Sequence, residues 1–151
     1  MTALKIQINL TESKKEKPLA DQLEFGRVFT DHMFIADYTE GECWADHRIV
    51  PYEPLTLDPA SIIFHYGQTV FEGMKAFRMD DGHINIFRME KHYDRFVKSL
   101  ERMCMAVVPK EIFIGGLRQL VELVKNWVPS KAGHALYLRP FVFASEASFG
   151  V

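Results

Sequence analysis

Cysteine is scarce: Cys43 and Cys104 are the only two in 151 residues. They lie far apart and outside any CxxC spacing, so neither a disulfide framework nor a zinc ribbon follows from them. Both are expected to be packed thiols, and no metal site is expected. No stretch approaches the roughly 18 apolar residues that a membrane-spanning helix needs, and the amino-terminal stretch lacks the apolar core of a signal peptide. An excess of one charge is missing too. Eighteen Lys and Arg face twenty Asp and Glu, a formal net charge of -2, far from the basic balance that counterion release from nucleic acid requires. Neither nucleic acid nor a membrane is therefore expected as a partner, and a cytoplasmic location is. The sequence also has no GxSxG elbow, no HExxH and no Gly-rich phosphate loop, which disfavours hydrolase and kinase chemistry.

What is present suits one soluble globular domain: 48% hydrophobic, 25% charged and 13% aromatic residues, with twelve Phe and seven Met available for a core. Residues 1–22 run through Glu12, Lys14, Lys15, Glu16, Lys17 and Pro18, a mix that buries little apolar area, and are expected to be a flexible lead-in. Strand-like runs follow at His32 to Tyr38 and Cys43 to Val50, around the turn Thr39-Glu40-Gly41. Asp58-Pro59 is a helix-start signal, predicting a short helix to about Tyr66. Asp80-Asp81-Gly82 marks a tight turn between Glu72 to Met79 and His83 to Arg88.

Met89, Tyr93, Phe96, Val97, Leu100, Met103 and Cys104 recur at spacings of three and four, the stripe of an amphipathic helix. Phe113, Leu117, Leu120, Val121, Val124 and Val128 repeat it, with Pro109 between the two helices. Ala135 to Ser145, rich in Tyr and Phe, reads as one strand covered on both faces. Helices segregate from strands in this order, so the expected class is α+β: an antiparallel-dominated sheet with helices packed on one face.

Two arginines stand out chemically. His92 lies near Arg88, Arg95, Ser99 and Arg102 on the polar face of its helix, which reads either as a solvated face or as a place where Arg95 turns inward to hold a phosphate. Tyr137 and Arg139 project from one face of a strand. A buried arginine there needs an anion, either a protein carboxylate such as Glu72 or a substrate carboxylate. By composition Phe25, Tyr66 and Phe71 read as core aromatics.

The stretch Phe64-His65-Tyr66-Gly67-Gln68-Thr69-Val70-Phe71-Glu72-Gly73-Met74-Lys75-Ala76-Phe77 resembles the small N-terminal domain of branched-chain amino acid aminotransferases, fold-type IV enzymes that use pyridoxal 5'-phosphate. Phe25 to Met33, Leu55 to Ala60, Asp94-Arg95 and Leu136 to Pro140 carry the resemblance further, in matching order. It implies that residues 23–151 are that small domain. It implies that Arg95 binds the cofactor phosphate, and that Phe25, Tyr66, Phe71, Tyr137 and Arg139 line or frame the substrate pocket. It also implies that Phe149, Gly150 and Val151 belong to a loop which, with Tyr66, reaches toward the second subunit of a homodimer.

The implied reaction transfers the amino group of Leu, Ile or Val to 2-oxoglutarate, giving glutamate. In the family the Schiff-base lysine and most of the cofactor cradle belong to a C-terminal domain. That domain is expected to be absent here, Lys75 is not the Schiff-base position, and the chain alone is expected to be inactive and to bind no cofactor. Two alternatives remain open. One is a non-catalytic, self-associating or interaction domain. The other is the small domain of a different fold-type IV enzyme, a D-amino acid aminotransferase or an aminodeoxychorismate lyase.

Overall fold

The computed structural model describes residues 4–19 and 22–150. Three small sheets and two long helices share one core. The first sheet joins β1 (Gln7–Ile8), β3 (Trp44–Pro51) and β2 (His32–Tyr38), in that order. The second pairs β4 (Thr69–Phe71) with β8 (Phe141–Phe143), and the third has the order β6 (Ile84–Ile86), β5 (Met74–Arg78), β7 (Leu136–Leu138). Every pairing is antiparallel except β1 on β3, so the α+β class with antiparallel-dominated sheets stands.

The apolar stripes form the helices they predict. Helix α2 (Met89–Arg102) buries Met89, Phe96 and Leu100. Helix α3 (Lys110–Leu123) buries Ile112, Phe113, Ile114, Leu117 and Val121. Phe96 meets Phe113 with ring centroids 5.1 Å apart, and the two helices close over Val70, Met74, Ala76 and Leu138 of the strands. Buried Gly116 lets α3 approach β2: a Cβ there would lie 2.6 Å from the Phe34 ring.

Several expectations need correction. The run Ala135 to Ser145 is not one covered strand. It breaks at Arg139-Pro140 into β7 and β8, which join different sheets, because proline has no N–H to continue a ladder. Leu138 is its one buried strand residue, while Phe141 is half exposed. Asp58 does not start a helix directly. Its carboxylate accepts the Ala60 N–H at 2.7 Å and its carbonyl accepts the Ser61 N–H, a side-chain turn that delays α1 to Ile62–Tyr66.

The α2 stripe outruns its helix: Cys104 lies past the end in a left-handed conformation, φ 52°. Both cysteines are exposed rather than packed. In the segment read as a lead-in, β1 pairs with β3, the Lys15 N–H donates to Asp31 at 2.8 Å, and Lys17 Nζ donates to the Asn126 carbonyl.

Candidate functional site

The link Glu72-Gly73, between β4 and β5, is where the chemistry gathers. The Glu72 N–H donates to the Pro140 carbonyl at 2.8 Å, tying the link to the joint between β7 and β8. Its side chain turns inward and is only 4% exposed. His92 and Arg95 are three apart on α2 and so share a face, and both meet this carboxylate. Arg95 donates from Nε to Oε1 and from Nη2 to Oε2, the latter at 2.8 Å. His92 Nδ1 lies 2.8 Å from Oε2. An ionised carboxylate only accepts, so that nitrogen carries the hydrogen. The Gly73 N–H adds a longer bond at 3.3 Å. Burial alone would raise the Glu72 carboxyl, but the bonds from Arg95 and His92, the Arg95 charge and the Gly73 amide outweigh it and hold it below the ordinary carboxylate range.

Beside this cluster lies a cation of a different kind. Arg139, exposed, stacks its guanidinium 4.4 Å from the Phe71 ring centre and 5.2 Å from that of Tyr137. It donates from Nη2 to the Tyr137 hydroxyl at 3.0 Å. Among the described residues no carboxylate forms an ion pair with it. Glu72 as its protein partner is thus corrected: that carboxylate belongs to Arg95 and His92. Phe25 meets Tyr137 edge-on, centroids 5.1 Å apart. Phe71 pairs across the ladder with Phe141, and Phe141 stacks on Phe143 at 5.8 Å.

These aromatics are not core. Phe25 is 76% exposed, Phe71 62% and Tyr66 49%; for Phe71 the cause is strand alternation, which sends Val70 inward and leaves its β4 neighbours outside. Tyr66 belongs to a second group: its hydroxyl donates to the Phe149 carbonyl at 2.8 Å, and the Phe149 ring meets His65 edge-on. Among the described residues no hydrogen bond or ring contact joins this group to that of Phe25, Phe71, Tyr137 and Arg139. The Gly150 N–H donates to the Ser148 hydroxyl, and Val151 lies outside the described residues. Lys75 is exposed and pairs across the ladder with Tyr137.

Gly73 holds the geometry together. A Cβ at this position would lie 2.0 Å from the Tyr137 hydroxyl oxygen and 2.9 Å from Cζ, so only glycine lets that ring lie across the link. Gly73→Ala is expected to cost about 1–3 kcal/mol of stability through overpacking. The check is urea unfolding of Gly73→Ala with and without Tyr137→Ala: the penalty should shrink when the ring is already gone.

Sequence reasoning singled out Arg95 and Arg139 but missed the central place of Glu72 and His92. The three-residue spacing of His92 and Arg95 was visible, yet only the fold shows that this face meets a buried carboxylate. Two open surface hollows, one beside Trp44 and His47 and the other beside Trp127 and Pro129, contain none of these residues. No group of His, Cys, Asp and Glu among the described residues could hold a metal ion, and no helix there is long and apolar enough to cross a membrane.

No family model matches the chain. It is 49% identical over all 151 residues to a protein named branched-chain-amino-acid aminotransferase 2 of Bacillus subtilis, covering 42% of it. It is 54% identical over 137 residues, 91% of this chain, to branched-chain-amino-acid transaminase 1 of the same organism, covering 38% of that protein. The chain thus spans about two fifths of the length of these curated relatives. Among solved structures, a branched-chain aminotransferase from the thermophilic archaeon Thermoproteus uzoniensis, with norvaline, superposes with a TM-score of 0.51 at 25% identity, over 69% of this chain and 33% of that one. A branched-chain amino acid aminotransferase from Escherichia coli has a TM-score of 0.55 at 22% identity, over 68% of this chain and 32% of that one, a likeness of fold.

Proposed function

We propose that this chain, which belongs with the branched-chain aminotransferases in sequence and in fold, is their N-terminal small domain over residues 23–151, preceded by a lead-in over 1–22. The whole protein would pass the amino group of Leu, Ile or Val to 2-oxoglutarate, in the cytoplasm and as a homodimer. The observation that carries this reading is Arg139: an exposed cation held by stacking and a tyrosine hydroxyl, with no anion among the described residues paired to it, against a wall of exposed aromatics. Phe25, Phe71 and Tyr137 offer apolar area to a branched aliphatic side chain, and Arg139 offers a charge-assisted bond to the side-chain carboxylate of glutamate. One surface can then take both partners of the exchange.

Pyridoxal 5'-phosphate, when bound, supplies an aldehyde to carry the amino group and an electron-withdrawing ring. The residues here fit its phosphate. Arg95 is 65% exposed in its side chain, and Glu72 occupies only its Nε and Nη2 edge. The Nη1 donors and the second Nη2 hydrogen remain for an anion. Tyr66 and the loop at Phe149, Gly150 and Val151 are assigned to the contact with a second subunit. No residue of this chain is assigned the Schiff-base role, Lys75 included, so the chain alone is read as inactive and without cofactor.

In the complete aminotransferase, Arg95→Ala is expected to weaken pyridoxal phosphate retention about tenfold or more, as loss of a charge-assisted pair does. The preference among Leu, Ile and Val should stay unchanged. Cofactor affinity by equilibrium dialysis, beside relative kcat/KM for the three amino acids, tests this. Unchanged retention would remove the phosphate role, and absence of any leucine-dependent transamination would remove the whole reading.

A further inference from the structure

The roles assigned so far leave one buried charge unused. Glu72 is 4% exposed, and its two oxygens accept from Arg95 Nε, Arg95 Nη2, His92 Nδ1 and the Gly73 N–H. The groups facing it come from α2 and from its own link, and among the described residues no second acid pairs with these cations. Charge alone makes this an odd neighbour for a phosphate site, because a fixed carboxylate repels an incoming anion and offsets the charge of Arg95.

Its geometry supplies a different benefit. An arginine side chain that is mostly exposed samples many rotamers. Two parallel bonds to one carboxylate fix the plane of the guanidinium as well as its position. That carboxylate accepts from the Gly73 N–H on the protein side, and the main chain that carries it is fixed by the Glu72 N–H donating to the Pro140 carbonyl.

We propose that Glu72 is a positioning residue: it takes the inner edge of the Arg95 guanidinium, with His92 bracing the carboxylate, so that the outer edge is held ready for a phosphate group. The inference rests on the reading of Arg95 as the phosphate-holding residue. Preorganisation of this kind improves binding by removing the ordering cost at the moment the ligand arrives.

The experiment uses the full chain, inorganic phosphate as the probe, and the Arg95 Nε–H resonance in heteronuclear NMR as the readout. In the unsubstituted chain this proton should exchange slowly, and the resonance should shift as phosphate is added. In Glu72→Gln, exchange should become fast and phosphate affinity should fall about tenfold, although a repelling charge has been removed. A bystander carboxylate would give the opposite sign, tighter phosphate binding. Equal or tighter binding by Glu72→Gln, with Arg95 still responding, overturns the positioning role and leaves the phosphate role of Arg95 standing. An Arg95 resonance indifferent to phosphate in the unsubstituted chain overturns both. Should Glu72→Gln fail to fold, the unsubstituted chain still decides: a fast-exchanging, motionally averaged Arg95 Nε–H overturns the inference, and a slow, ordered one supports it.

Discussion

Phe96→Ala is expected to remove about 3–5 kcal/mol of folding free energy, the range for deleting a fully buried aromatic ring. Phe96 is 2% exposed and lies against Phe113 at 41° between ring planes. Buried Leu100, Ile112 and Leu117 belong to the same cluster. Helices on one side and paired strands on the other restrict collapse into the space left behind, which is the condition under which the cavity cost is large. Native domains hold only about 5–15 kcal/mol in total, so this single change would consume a large share. Urea unfolding checks it: the midpoint should fall with an unchanged slope. Phe25→Ala makes the control, since that ring is 76% exposed and should shift stability by no more than about 0.5 kcal/mol. The damage should reach the site as well, because Arg95 is the residue next to Phe96 on α2.

The second large effect concerns substrate choice. In the complete aminotransferase, Arg139→Ala is expected to lower kcat/KM for glutamate about a hundredfold, with leucine altered no more than about threefold. On the role proposed for Arg139, removing the cation leaves the substrate carboxylate without its partner, a penalty the aliphatic substrate does not meet. Steady-state kinetics with both amino donors read the difference directly as free energies. Equal losses for the two would make Arg139 a structural residue that only keeps Phe71 and Tyr137 in place.

The helices and both hairpins were legible in the sequence because each rests on a local signal: a stripe at helical period, or a turn flanked by strand-like runs. The family resemblance was legible for another reason, a long block of residues around Phe71-Glu72-Gly73. Less visible was whatever depends on pairings distant in sequence. The aromatics at Phe25, Phe71 and Tyr66 read as core by composition, and all three are exposed, Phe71 because alternation in its strand sends Val70 inward instead. Glu72 pairs on paper with Arg139, and the fold gives it to Arg95 instead, across twenty-odd residues of intervening chain. The break at Arg139-Pro140 had its signal in the proline, outweighed by the apolar run around it.

That break has a mechanical meaning. Phe71 stands on one ribbon of strands, Tyr137 on another, and Arg139 at the knuckle where the chain passes between them. The spacing of cation and aromatics therefore depends on how two ribbons meet at a prolyl joint as well as on the Arg139 rotamer. A substitution at Pro140 would then shift one wall of the niche against the other through the main chain, leaving Phe71 and Tyr137 themselves unchanged.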